Sequence, residues 1–148
     1  MSWDDFDVGA FLGRGGFASV FRAIYRPTGA TVALKVVDVG ALTAAGVSLG
    51  RLAREVALQR ACADARVVRC LGAFEVSGVA CAHLIDESWD ASASAERAYR
   101  CVVLEFCGGG DLRDLVRRDG PVAEREGCLL YTSPSPRDAT LSRMPSSA

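Results

Sequence analysis

Between Phe6 and Val39 the chain alternates short apolar runs with turn residues. Phe6 to Leu12 ends in glycines, Ala18 to Tyr25 is closed by Arg26-Pro27-Thr28-Gly29, and Thr31 to Val39 follows at hairpin distance. Runs of this length, rich in β-branched and aromatic residues, predict three strands. Connections this short cannot hold a crossover helix, so the strands form an antiparallel meander. Ala41 to Gly50 is small and glycine-spotted, which predicts a loop leading into a helix. Arg51 to Ala63 places Leu52, Val56 and Ala63 on one stripe, with Leu58 beside them and charges opposite, the pattern of an amphipathic helix. Val67 to Val76 predicts another strand. Residues 77 to 98 turn polar and small, which predicts a surface insertion. Tyr99 to Phe106 is almost wholly apolar and predicts a strand covered on both faces. The triple glycine Gly108 to Gly110 then leads to Asp111, a candidate N-cap for a short helix in DLRDLVRR. From Cys128 the sequence CLLYTSPSPRDATLSRMPSSA is dense in Ser and Pro and carries no period, so disorder is expected for 128–148.

Composition narrows the class. The chain has 148 residues, of which 50% are hydrophobic and 24% charged, as expected for one soluble domain. With a formal net charge of −1 and its arginines scattered, it offers no footprint for nucleic acid or an anionic membrane. MSWDDFDV has no apolar signal region, and the runs VALKVV and CVVLEFC are too short to span a bilayer, so a cytoplasmic location is expected. Cys62, Cys70, Cys81, Cys101, Cys107 and Cys128 show no CxxC spacing, and His83 is the only histidine. Reduced thiols are therefore expected, and no metal site.

Candidate chemistry begins at LGRGGFASVFRA, Leu12 to Ala23. A loop that wraps phosphates needs glycine, both for backbone amides to approach an anion and for unusual φ/ψ values. Gly13, Gly15 and Gly16 supply that freedom, and Ala18 stands at the third glycine of a GxGxxG pattern. Alone, the pattern fits a glycine-rich hairpin with no ligand equally well. A dinucleotide-binding unit, with FASVFRAIY as a helix and Asp38 on the ribose, fits less well than a strand, because that helix would be short, hold β-branched Val20 and Ile24 and stop at Pro27. Lys35 bears on the choice. It lies inside VALKVVD, where a strand places Ala33, Lys35 and Val37 on one face. An ammonium there either snorkels from an edge strand or meets an anion. Twenty residues on, Glu55 sits in the amphipathic helix where it can face the sheet.

Together these residues resemble the N-terminal lobe of eukaryotic protein kinases. In that family a GxGxxGxV loop covers ATP, a lysine in a VAIK motif contacts the α- and β-phosphates, and a helix glutamate orients the lysine. The corresponding stretches are GRGGFASV (Gly13, Arg14, Gly15, Gly16, Phe17, Ala18, Ser19, Val20), VALK ending at Lys35, and REVALQ with Glu55. The likeness continues in VVLEFCGGGDL. It implies Leu104 as the gatekeeper beside the adenine, the Glu105 carbonyl and Cys107 amide on its edge, and Leu12, Val20 and Ala33 around the ring. Asp111 would reach the ribose or a basic substrate, or serve only as a cap. The implied fold is α+β: a twisted five-stranded antiparallel sheet with one main helix, followed by the start of a large lobe. FDVGAFLGRGGFASVFRA, TAAGVSLGRLAREV and LEFCGGGDL are most similar to polo-like kinases of the SAK type. That narrower likeness implies Ser/Thr specificity and admits a nuclear or centrosomal location.

The family's catalytic loop HRDxxxxN and its DFG motif are absent from this sequence. The catalytic aspartate and the Mg2+ ligands are thus missing, although the resemblance implies ATP and Mg2+ as cofactors and a protein substrate. Val122 to Gly127 reads as the start of the next helix. The likeness covers residues 6–127, after a tail at 1–5. The segment 128–148 resembles translated adapter sequence, which implies an inactive piece of a serine/threonine kinase whose full-length parent is active. A non-catalytic binding module is the alternative expectation, and a dinucleotide-binding oxidoreductase segment a remote one.

Overall fold

The computed structural model describes residues 1–62, 64–78, 80–81, 97–110 and 112–121. Outside them lie Asp111, Val122 to Gly127, the 128–148 tail and most of the 77–98 insertion. The described residues form two compact units: those within Met1–Asp64 and Val68–Cys107, and Ala65–Val67 with those from 108 to 121.

The first unit is a five-stranded antiparallel sheet. Its strands are β1 (Phe6–Arg14), β2 (Ala18–Tyr25), β3 (Ala30–Asp38), β4 (Cys70–Ser77) and β5 (Ala98–Glu105), in the order β1-β2-β3-β5-β4. The first three form the expected meander. Its second turn closes with the Gly29 amide donating to the Tyr25 carbonyl at 2.8 Å, and Gly29 sits at φ +70°, where a side chain would be strained. Helices α1 (Val39–Ala44) and α2 (Leu49–Ala61) connect β3 to β4.

Alternation along the strands sorts two faces. Phe21, Val32, Leu34, Val36, Tyr99, Cys101 and Val103 are all buried and form one core with Phe6 and Cys81. The sheet curls around it, because Phe6 on edge strand β1 stacks at 5.4 Å on Phe74 of the opposite edge strand β4. The curl of the sheet thus helps to bury this face, together with Cys81. On the other face Val37 packs with Leu42 of α1 and Leu52 of α2. Helix α2 buries Leu52 and Val56 and is capped by Ser48, whose hydroxyl accepts from the Arg51 amide at 3.3 Å.

Ala18–Tyr25 is strand β2, as expected, paired with β1 and β3, and not the helix of the dinucleotide-binding alternative. Three expectations need correction. Val39–Ala44 is helix α1, largely in a stretch expected to be a loop, and the Asp38 carboxylate caps it by accepting from the Ala41 amide at 2.9 Å. Leu58 does not join the buried stripe of α2 but is 66% exposed. Within the segment expected to be a surface insertion, Cys81 is fully buried in the core. Burial pushes its thiol up to about 12, with Asp38 adding to the shift, and raises that of Cys101 as well.

In the second unit, helix α3 (Leu112–Asp119) follows the glycine run. Arg118 and Asp119 pair there at 2.8 Å. No helix among the described residues is long and apolar enough to cross a membrane.

Candidate functional site

The face opposite the curled core carries the candidate site. Pairing in register sets a row of residues across all five strands: Gly13 opposite Val20, Val20 opposite Lys35, Lys35 opposite Val102, and Val102 opposite Ala73. Directly paired residues share a face, so Lys35 lies on the side of Gly13 and not on the core side. One strand, β2, lies between them, so they are two inter-strand spacings apart, about 10 Å. A second row, two residues along, holds Arg22, Ala33 and Leu104. Val20, Ala33 and Leu104 are half-buried, so they form a small, accessible apolar floor beside the lysine.

Glu55 reaches this face because of how α2 docks. Leu52 and Val56 hold the helix against the structure, and Glu55, three residues after the first and one before the second, falls at the edge of that stripe. Its Oε1 accepts from the Lys35 ammonium at 3.3 Å. The side chains are 31% and 56% exposed, so water screens the pair and it is worth only about 0–1 kcal/mol to the fold. What it does is hold a cation in place above an apolar floor.

The glycine loop joins β1 to β2. It is tied down at both ends, by the Asp38 amide donating to the Phe17 carbonyl at 2.9 Å and by the Gly15 amide donating to the Ala18 carbonyl at 2.7 Å. Gly15 therefore spends its amide inside the loop. The expectation of unusual φ/ψ values is also corrected: none of Gly13, Gly15 and Gly16 has positive φ. A Cβ on Gly13 or Gly16 would meet nothing within 4 Å. Glycine there serves neither strain nor internal packing, and the property it confers is open access to the backbone. Leu12 and Phe17 are exposed beside it, while Ala18 packs toward Val37. Ser19 departs from the expected set. It pairs with the core residue Val36 and is 2% exposed, so its side chain faces away from Lys35 and only its backbone serves the loop. Arg14 pairs with Ser19 in the same register and is exposed.

At the end of β5, Glu105 is tied to Arg69 by its carboxylate and its amide. The Arg69 amide and guanidinium hold the Glu105 carboxyl below its ordinary value. A lowered carboxyl stabilises the fold fully above the ordinary Glu value of about 4.3, and that contribution is lost as pH falls through the lower native value. In acid titration of stability, the wild-type chain is expected to fall toward Glu105→Gln below that point and meet it once the carboxyl is protonated. A constant offset between the two curves would refute the pairing. Beyond Glu105, Phe106 lies 5.6 Å under the Arg22 guanidinium and Cys107 is exposed. Sequence reasoning missed Arg69; the signal available was Glu105 itself, a charge inside an apolar strand that calls for a partner.

A family model described as protein kinase domain matches residues 6–132. The chain belongs to the protein kinase domain family. The match runs five residues past Gly127, into the tail expected to be foreign to it (132 − 127). A solved structure of Rad53, residues 1–466 in complex with AMP-PNP, is 28% identical with a TM-score of 0.61. That match covers 84% of this chain and 28% of the other, so this kinase chain spans under a third of the length of its solved relative. In all, 751 solved chains match, so the fold does not rest on one neighbour.

The residues present fit a nucleotide. A paired cation, an uncrowded glycine loop and an apolar floor with small Ala33 at its centre suit a triphosphate and a flat base. A divalent cation is a different matter. Among the described residues no three His, Cys, Asp or Glu side chains converge, so they offer no ligand set for Mg2+.

Proposed function

We propose that this kinase chain is the ATP-binding part of a serine/threonine protein kinase of the polo-like, SAK-type group, whose full-length parent transfers phosphate to protein hydroxyls. The observation that carries the reading is the Lys35–Glu55 pair at 3.3 Å, on the sheet face that also bears Gly13 and Ala33.

In this reading Lys35 binds the α- and β-phosphates and Glu55 keeps its ammonium aimed. The Gly13–Val20 loop covers the phosphates. Leu12, Val20, Ala33 and Leu104 seat the base, and the Glu105 carbonyl and Cys107 amide meet its edge. Asp111 is proposed for the ribose. Phosphoryl transfer also needs an aspartate to take the substrate proton and ligands for magnesium, and the sequence holds neither HRD nor DFG. The chain alone therefore binds nucleotide without transferring phosphate.

Calorimetric titration of the full chain with ATP and with NAD tests this, followed by incubation with labelled ATP and a protein substrate. ATP is expected to bind in preference to NAD, with no label transferred. Preference for NAD would refute the kinase site, and Lys35-dependent transfer would refute the inactivity. The missing motifs equally favour a second reading, a non-catalytic module that engages kinase regulators. A transcript that continues past Gly127 into HRD and DFG codons would reject it.

A further inference from the structure

Two polar side chains outside the expected set link α2 to the end of β5. Gln59 lies one turn beyond Glu55 on the same edge of the helix, and its Nε2 donates to the Val68 carbonyl at 2.9 Å. The next residue, Arg69, makes three hydrogen bonds with Glu105. The Glu105 amide donates to the Arg69 carbonyl at 3.0 Å, the Arg69 amide to Oε1 at 2.9 Å, and Arg69 Nε to Oε2 at 3.0 Å.

The register explains why this contact matters. Cys70 pairs with Leu104, so Arg69 and Glu105 are the next antiparallel rung, closed partly by side chains where both strands end. On its other side Glu105 is opposite Val32 of β3. It is the last residue of β5, and Phe106 and Cys107 continue beyond the strand. The direction in which that backbone leaves the sheet is therefore set at this rung.

We infer that Arg69 is a positioning residue for the nucleotide base: it fixes the backbone of Glu105 and thereby aims the segment 105–107 at the base edge. Gln59 ties the same rung to the helix that carries Glu55, so the phosphate end and the base end of the site are held in one frame. Arg69 is 70% exposed, and its charge alone contributes little. Two of the three bonds use the Arg69 backbone; its side chain adds the third, Nε to Oε2, which completes a two-point grip on the Glu105 carboxylate and is the bond that Arg69→Ala removes. The inference rests on the nucleotide reading above.

The test uses the full chain with Arg69→Ala, Arg69→Lys and Gln59→Ala, titrated with ATP and with GTP, and with amide hydrogen exchange followed at residues 105–107. Arg69→Ala is expected to weaken ATP roughly fivefold, about the worth of one good hydrogen bond. GTP should change little, so the ATP-to-GTP preference falls and exchange at 105–107 rises. Arg69→Lys should restore part of the preference, and Gln59→Ala should show a smaller loss in the same direction. Equal weakening of both nucleotides would mark a general structural role and overturn the inference. So would unchanged ATP affinity, or a wild-type chain that does not distinguish ATP from GTP. A wild-type chain that binds neither nucleotide would instead overturn the nucleotide reading itself.

Discussion

Lys35→Met should lose at least about tenfold in ATP affinity while its melting temperature stays close to that of the wild-type chain. The side chain is partly exposed and its ion pair is screened, so the fold gives up only about 0–1 kcal/mol. The nucleotide gives up more, because charge-assisted bonds to phosphate are worth roughly 1.5–3 kcal/mol each. The substitution also leaves the Glu55 carboxylate facing the incoming triphosphate without a counter-charge. Lys35→Met with Glu55→Gln should therefore recover part of the lost affinity. Calorimetry and thermal melts on the wild type and the two variants measure this, and a single variant that binds ATP as the wild type does would remove Lys35 from the site.

The neighbouring residue should behave in the opposite way. Leu34 points to the curled core, is fully buried, and packs in the cluster that holds Phe21, Val36, Cys101 and Val103. Leu34→Ala deletes buried methyl groups and leaves a cavity, at a cost of about 3 kcal/mol. For a domain of this size that is a large part of the total stability and lowers the melting point by more than about 10 °C. Urea unfolding should show a lower midpoint with an unchanged slope. A midpoint within error of the wild type would mean that the core face has been assigned to the wrong residues.

That contrast between adjacent residues was legible in the sequence, because alternation along VALKVVD sorts Lys35 from Leu34 before any long-range contact is known. Ala18 to Tyr25 was equally legible, bounded by glycines and a Pro-Thr-Gly turn. Helix α1 was not. VGALTA is only six residues long and opens with Val and Gly, both weak helix formers, and it is helical because Asp38 caps it and Leu42 packs against Val37 and Leu52. Leu58 fits the helical period but lies outside the narrow stripe that meets the rest of the structure. At the site, Lys35 and Glu55 were found from charge placed in apolar patterns, whereas Gln59 was not, since its partner is a backbone carbonyl nine residues away. Ser19 was included with its loop, yet strand parity alone would have separated it from Val20.

The strand order has a consequence for how the molecule is made. The last of the described strands to be synthesised, β5, sits between β3 and β4, so the meander can assemble early while β3 keeps a row of unpaired amides and carbonyls. Ribosomal delivery must reach Glu105 before that edge is covered and β4 gains a partner. Until then the nascent polypeptide exposes a sticky border, which makes the interval between the emergence of residues 38 and 105 the period in which it most needs a chaperone.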